Sequence, residues 1–452
     1  MAYYYKSLNL HHIWKGGFHC VGGNFAAASR IVGFNNLSNF KRKVFLSRPS
    51  SAVLLNKGYC SSSQVVSAIP QSNVLTSSKS ENEVVHQDLV KREEKAAETN
   101  NPSNGRVMLI DGTSVIYRAY FKLLARVHHG HLTHADGNGD WVLTIFSALS
   151  FIIDVLGFMP SHAVVVFDHD GVPYGKTSVS PNKTVMEKGL NFRHTLYSLY
   201  KSNRPPTPDT VFQGLPYLKA AIKAMSVKVI EVPGVEADDV IGTLAVNSVK
   251  DGFKVRVVSP DKDFFQILCP SLRLLRIAPR GLEMVSFGME DFAEKYGGLK
   301  PSQFVDVMAL MGDKSDNIPG VEGIGVVHAV ELISRFGTLE NLLKCVDQVE
   351  GESIRKALRE NAKQAVLSKE LAKLRCELPE YMVPFATTDL IFKKPEDNGE
   401  KFTNLLTAVS SYAEGFSADM IIRRASKLWE KLEAREAKHT RSRAILHQQT
   451  MR

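Results

Sequence analysis

Four short apolar runs, most of them closing on acidic residues, constrain what this chain can fold into. Val107–Ile110 runs into Asp111, Ala163–Phe167 into Asp168, and Lys254–Val258 into Ser259, Pro260 and Asp261. A fourth run, Val227–Val232, precedes the acidic stretch Glu236-Ala237-Asp238-Asp239. Continuous apolar runs of this length suit strands buried on both faces of a parallel sheet. Helical patterns over Trp141–Leu156 and Leu215–Met225 lie between them. The alternation predicts an α/β chain: a mostly parallel central sheet with helices on both faces. Ligands of open α/β sheets sit at the carboxyl ends of the strands, so acids from distant parts of the sequence are expected along one edge.

Glu236 and Asp239 lie three residues apart and share a face if a helix begins there. Acids in a first turn also complement the helix dipole, so helix initiation alone would account for this stretch taken singly. Its company argues for more. Gly312-Asp313-Lys314-Ser315-Asp316-Asn317 carries a second pair at the same spacing, and Asp263 follows Asp261 by two. The candidate cluster is therefore Asp111, Asp168, Glu236, Asp238, Asp239, Asp261, Asp263, Asp313 and Asp316. Two carboxylates about 4 Å apart repel by roughly 4 kcal/mol at an effective dielectric near 20, so such a set needs cations. Oxygen donors without His or Cys select hard ions, Mg²⁺ or Mn²⁺. Two such ions are the usual arrangement for hydrolysing a phosphodiester.

The formal net charge of +9 misleads until it is divided along the chain. Residues 1–80 hold nine basic residues and no acid, so 81–452 is neutral. Basic residues outnumber acids by six over 421–452, leaving 81–420 at −6. Nucleic-acid binding must therefore come from local patches and not from overall charge. The acid-free, Ser-rich stretch 1–80 has the pattern of an organelle-targeting presequence, mitochondrial or plastid, and 81–104 reads as a polar linker. Five scattered cysteines form neither a zinc motif nor a disulfide framework. No apolar stretch is long enough to span a bilayer as a helix, so no membrane partner is expected.

The segments LIDGTSVIYRAY, VVFDHDG, PGVEADDVIG, VVSPDKDFFQIL and GDKSDNIPGVEGIG carry a resemblance. In order over about residues 106–345, they resemble the 5′-nuclease domain of bacterial family-A DNA polymerases, within the flap-endonuclease superfamily. The hundred or so residues that remain are too few for a polymerase region. The resemblance implies a PIN-like core and a two-metal nuclease. In it, Asp111, Asp168, Glu236, Asp238 and Asp239 hold or support one ion, and Asp261, Asp263, Asp313 and Asp316 the other, with Mg²⁺ replaceable by Mn²⁺.

Between Gly171 and Arg204, Lys176, Lys183, Lys188, Arg193, Lys201 and Arg204 stand against Glu187 alone. The resemblance implies a helical arch here, at about 171–208, that admits a single strand to the metals. Cations beside a scissile phosphate offset charge that builds in the transition state. Lys201 and Arg204 are the leading candidates, Arg193 the next, and Tyr200 is a candidate base-stacking surface. The segment Val172–Leu190 is longer than the family pattern. Downstream, Gly320-Val321-Glu322-Gly323-Ile324-Gly325 precedes a predicted helix over Val326–Phe336. Glycine turns at a helix N-terminus present backbone N–H groups to anions. The resemblance implies that Gly320, Gly323, Ile324 and Gly325 grip duplex phosphates in a helix-turn-helix at about 318–337, with a K⁺ ion. Val327-His328 replaces the family's Lys-Thr.

The expected organisation is a nuclease core over 105–300, a helical DNA-binding region over 301–380 and a C-terminal extension with a basic end over 381–452. The expected function is a 5′–3′ exonuclease and flap endonuclease leaving a 5′-phosphate and a 3′-hydroxyl. It would be a monomer acting on DNA with 5′ ends, flaps or junctions and on RNA–DNA primers in organellar replication or repair, with an organellar DNA polymerase as a functional partner. A PIN-type ribonuclease and a non-catalytic DNA-junction binder are the alternatives.

Overall fold

The computed structural model describes residues 105–129, 139–169, 191–277, 284–413 and 415–450. The expected presequence, the linker 81–104 and the long segment 172–190 lie outside the described residues.

The elements run β1 (Arg106–Asp111), α1 (Gly112–His128), α2 (Asp140–Leu156), β2 (His162–Phe167), α3 (Phe192–Leu196), α4 (Asp209–Ala224), β3 (Lys228–Glu231), α5 (Ala237–Lys250), β4 (Lys254–Val258), β5 (Leu272–Ile277) and β6 (Met284–Phe287). Helices follow: α6 (Met289–Lys295), α7 (Phe304–Met311), α8 (Val326–Phe336), α9 (Leu339–Lys344), α10 (Glu352–Glu360), α11 (Ala362–Ala372), α12 (Glu400–Ser410) and α13 (Asp419–Thr450). Short 3₁₀ turns link several of them, one at Asp263–Ile267.

The six strands form one sheet in the order β3-β2-β1-β4-β5-β6, parallel except for β6, which runs antiparallel to β5. This is the mostly parallel sheet expected from the sequence, with all four expected strands at their expected places. Strands β5 and β6 extend it beyond that expectation. In β5 the apolar residues are interrupted by Arg273 and Arg276, which breaks the continuous run by which the others are legible. Arg276 lies over the rings of Phe265 and Phe287, and Arg273 pairs with Glu290 and Asp291.

Successive strand side chains point to opposite faces, so the sheet divides its own residues between two cores. Val107, Leu109, Val164, Val166, Val255 and Val257 face one core, shared with α5, α7, α8 and α11. Met108, Ile110, Ala163, Val165 and Phe167 face the other, with α1, α2 and α4. The strand register holds this division: Leu109 aligns with Val164 on one side and Val257 on the other. Helix α4 begins six residues before the expected Leu215 because Asp209 supplies an acid to its first turn just after Pro208.

The segment expected as a C-terminal extension completes the second core. Phe402, Leu406, Val409, Ile421, Leu428, Trp429 and Leu432 are buried there, and Tyr412 stacks near Trp141 with ring centroids 5.6 Å apart. Arg424 reaches α2, pairing with Asp154 and donating to Ser150 Oγ at 3.0 Å. Among the described residues no helix is long and apolar enough to cross a membrane.

Leu432→Ala and Trp429→Ala should each cost about 2–5 kcal/mol of unfolding free energy in a urea titration. Lys427→Ala, on the exposed side of the same helix, should change it by less than about 0.5 kcal/mol.

Candidate active site

The carboxyl ends of β1, β2 and β4 and the start of α5 meet at one edge of the sheet. Asp111 ends β1 and caps α1, accepting from Ser114 N at 2.9 Å and from the Ser114 hydroxyl. Ser259 Oγ, just after β4, donates at 2.8 Å to Asp111 Oδ2, the oxygen that also accepts the Ser114 hydroxyl. Asp168 follows β2, and its Oδ1 accepts from Ala237 N at the first turn of α5 at 2.8 Å. Asp261 is reached through Ser259 and Pro260, and its Oδ1 accepts the amide of Asp263 at 3.0 Å. Asp111, Asp168, Glu236, Asp238 and Asp261 line one cavity of about 440 Å³, with Lys201 and Arg204 also on its wall. Tyr117, Phe121 and Phe167 give the same cavity an apolar side.

Burial and mutual repulsion set the charge state of this group. Burial pushes Asp111 up to about 6, with Asp168 adding to it against the Ser114 and Ser259 hydrogen bonds. Asp168 is raised, again by burial, despite the Lys201 cation. Burial holds Asp238 well above the ordinary carboxylate range, reinforced by Asp111, Asp261 and Asp168. Asp263 is likewise held well above it by burial, with Asp261 and Asp316 contributing, and its Oδ1 is buried without a hydrogen-bond partner.

The other acids are held by cations. Glu236 stands at the N-cap position of α5, and its side chain accepts from Lys201 Nζ, from Arg193 Nη1 at 2.7 Å and from Tyr200 OH at 3.2 Å. Burial works to raise it, but Lys201 and Arg193 outweigh that and hold it below its ordinary value. Asp316 pairs with Arg204 and accepts from Tyr200 OH at 3.1 Å. Burial opposes its ionisation too, yet Lys201 and Arg204 keep it well below the usual range. Asp313 Oδ1 accepts from Ser315 N at 2.8 Å and Ser315 Oγ at 2.7 Å, while its Oδ2 faces Lys262 Nζ at 3.1 Å. Lys201 holds its place in a left-handed backbone conformation, φ 56°, with its amide donating to Asp316 O at 2.9 Å.

Three expected residues take other places. Asp239 does not reach the cavity: it is 1 % exposed, and its oxygens accept from Arg193 Nη1 at 2.7 Å, Arg193 Nη2 at 2.9 Å and Arg375 N at 3.0 Å. Arg193 is 4 % exposed and cannot face a substrate phosphate. It donates onward to the carbonyls of Leu371 at 3.0 Å and Lys373 at 2.9 Å, tying α5 to the end of α11. The expected shared face of Glu236 and Asp239 exists, but Arg193 fills it. Tyr200 is 3 % exposed, so its ring is packed inward and not offered for stacking.

The glycine turn divides in the same way. Gly320 has φ 68°, and a Cβ there would stand 2.4 Å from Gly312 N, so glycine is required for the two loop strands to touch. Its amide donates to Ser368 Oγ at 3.1 Å, and Ile324 is 4 % exposed with its amide on Val321 O at 3.2 Å. Gly323 and Gly325 face open space before α8. Sequence reasoning passed over Ser114, Ser259 and Lys262. Ser114 sits at capping distance from Asp111, and Lys262 lies between two acids, so a search for polar neighbours of each acid would have found them.

Among the described residues no three His, Cys, Asp or Glu side chains converge closely enough to hold an ion as they stand. Cation pairing of Glu236, Asp313 and Asp316 and the mutual repulsion of the others are consistent with that. The donor chemistry nonetheless fits hard divalent ions: all donors are oxygen, several carboxylates are destabilised for want of positive charge, and one buried oxygen is unpartnered.

Residues 106–297 match the family model described as 5′-3′ exonuclease, N-terminal resolvase-like domain, and 299–398 match 5′-3′ exonuclease, C-terminal SAM fold. The chain is 37% identical over 276 residues to DNA polymerase I of Bacillus caldotenax, covering 61% of this chain and 28% of that protein. It is 36% identical over 276 residues to the thermostable DNA polymerase I of Thermus thermophilus, covering 61% and 29%. The matched part thus spans less than a third of those polymerases. Among solved structures, a mutant T5 5′-exonuclease aligns with TM-score 0.44 and 18% identity over 69% of this chain and 100% of that one. The catalytic core of Rad2 in complex with DNA substrate aligns with TM-score 0.45 and 16% identity over 76% and 98%.

Arg193→Met should cost about 3–5 kcal/mol in chemical denaturation, because it leaves Asp239 buried and uncompensated. Adding Asp239→Leu to it should recover most of that loss. A second expectation concerns pH. An acid whose folded pKa is raised binds its proton more tightly when folded, so its stability contribution falls as pH rises from the unfolded value through the folded one. Glu236 and Asp316, shifted down, are ionised in both states above about pH 5 and drop out. With a chelator present, Asp238→Asn should therefore melt higher than wild type by a few degrees at pH 7.5, on the order of 1 kcal/mol. That gap should close toward pH 5.

Proposed function

The chain belongs to the 5′–3′ exonuclease family, and from that premise we propose that it is a metal-dependent 5′–3′ exonuclease and flap endonuclease. Its substrates are DNA with 5′ ends, flaps or junctions, and RNA–DNA primers. The observation that carries this reading is one shared cavity where Asp111, Asp168, Glu236, Asp238 and Asp261 meet Lys201 and Arg204. A surface that only bound nucleic acid would gain nothing from carboxylates so crowded that burial and repulsion raise them.

Two ions, Mg²⁺ or Mn²⁺, would be held by Asp111, Asp168, Glu236, Asp238 and Asp261 and by Asp263, Asp313 and Asp316; bound there, they supply charge neutralisation and polarisation of the scissile phosphate. The chain's own groups do the rest. Lys201 and Arg204 bring fixed positive charge to the cavity wall, and Glu236 and Asp316 hold those cations in place. Positioned cations of this kind stabilise the extra negative charge of a phosphodiester under attack. Ser114 and Ser259 orient Asp111. Arg193 and Asp239 form the buried support beneath Glu236. The apolar side, with Tyr117 and Phe121, lowers the local dielectric and strengthens each of these interactions.

Gly323 and Gly325, open to solvent ahead of α8, support a backbone grip on duplex phosphates, with a K⁺ ion as part of the proposal. The acid-free stretch 1–80 supports an organellar address, mitochondrial or plastid, where the protein would act as a monomer in replication or repair beside a DNA polymerase.

A labelled 5′-flap incubated with the full chain should be cut only with Mg²⁺ or Mn²⁺, giving 5′-phosphorylated products. Asp238→Asn with Asp261→Asn should lower the single-turnover rate at least about 10³-fold, and Lys201→Ala or Arg204→Ala roughly 10²-fold. Cutting that survives the double acid variant or a chelator overturns the reading. Preferential cleavage of single-stranded RNA would favour a PIN-type ribonuclease, and tight binding without cleavage a junction-binding module.

A further inference from the structure

The acids of this site divide by what neutralises them. Asp111 and Asp238 are crowded by one another and by Asp168 and Asp261, and Asp263 by Asp261, Asp316 and Asp313. Asp313 and Asp316 are instead already satisfied by protein cations, Asp313 by Lys262 and Asp316 by Arg204 and Lys201. These cations are not equivalent. Lys201 is pinned by its backbone bond to Asp316 and by Glu236. Arg204 is anchored through its Nε to Ser315 O at 3.4 Å as well as to Asp316. Lys262 has a looser arrangement: among the described residues its ammonium forms an ion pair with Asp313 only, at 3.1 Å, with Asp263 and Asp261 acting on it from farther off, and its side chain keeps 25% of its surface in solvent. The other oxygen of Asp313 is occupied by Ser315 N and Oγ. An ion approaching Asp313 therefore meets the oxygen that Lys262 occupies.

We propose that Lys262 is an internal competitor for a divalent ion at Asp313, so that the two expected ions bind unequally. The inference rests on the metal-dependent reading above and deepens it. The backbone that carries Lys262 also carries Asp261 and Asp263 on either side, so the ammonium is tethered between an acid of the first ion's group and an acid of the second's. A first ion among Asp111, Asp168, Asp238 and Asp261 binds without displacing a protein cation from those carboxylates. A second ion at Asp313 must release the ammonium to solvent, which the long, partly exposed lysine stem permits. Positive charge already brought to Asp261 by the first ion repels the same ammonium and helps release it. Lys262 thus links the two occupancies: it suppresses the second site until the first is filled, while keeping Asp313 from standing as a bare anion.

The test is Mn²⁺ binding to the full chain without nucleic acid, by calorimetry or by paramagnetic titration, for wild type, Lys262→Met and Lys262→Arg. Wild type should bind one ion tightly and one weakly. Lys262→Met should tighten the weak class about fivefold, the scale of one partly exposed ion pair, and leave the tight class within about twofold. Lys262→Arg, which keeps the charge, should behave like wild type. Circular dichroism on each variant establishes that it is folded, and Lys262→Gln serves as a second neutral variant. Two binding classes unchanged in both neutral variants, or a weak class lost in them, overturns the inference while leaving the metal-dependent reading intact. Failure of wild type to bind any divalent ion overturns both.

Discussion

Crowded carboxylates at the edge of a parallel sheet are the constraint on which the rest of this structure depends. The sheet sets the ends of β2, β1 and β4 side by side, and an acid stands at or shortly after each end. Such an edge is unstable unless positive charge is supplied. The chain supplies it unevenly. Arg193, Lys201, Arg204 and Lys262 neutralise Glu236, Asp239, Asp313 and Asp316, whereas Asp111, Asp168, Asp238 and Asp263 are left raised. The destabilised set is the part of the site whose negative charge burial and neighbouring acids oppose.

Arg193 shows how far this balance reaches into the fold. Its guanidinium satisfies two acids of α5 and two carbonyls at the end of α11, so one buried cation joins the sheet to the helical C-terminal region. Removing one partner of such a pair is far more costly than never having built it, because the remaining charge stays in low dielectric. Through Glu236, which lines the cavity and accepts from Arg193 Nη1 at 2.7 Å, this network reaches the site. On the opposite face the second core performs a comparable task without charge. Residues from α12 and α13 close over α2 and α4, the helices that share that core with α1.

Much of the fold was legible from residue pattern alone. Runs such as Val107–Ile110 and Ala163–Phe167 can be little else than strands covered on both faces, and Val326–Phe336 was readable as a helix to the residue. Strand β5 was not, since Arg273 and Arg276 interrupt its apolar run and are accommodated only by Glu290, Asp291 and the rings of Phe265 and Phe287. Helices α12 and α13 lie in what reads from sequence as a C-terminal extension, and nothing local marks which core they close.

For the site, the sequence by itself determined where acids occur relative to strand ends and helix starts, because both depend on spacing over a few residues. It also determined the donor chemistry, which follows from residue type. Only the tertiary structure decided which acids are free. Arg193 lies 43 residues from Glu236 and 178 from the carbonyl of Leu371, and Lys201 meets Asp316 across a comparable gap. No local periodicity encodes such pairings. That is why Asp238 and Asp239, adjacent in sequence and alike in chemistry, end in opposite roles: one faces the cavity among carboxylates, and the other is buried against a guanidinium. A turn of about 100° along one helix separates them, and the packing on each side sets the charge each will carry.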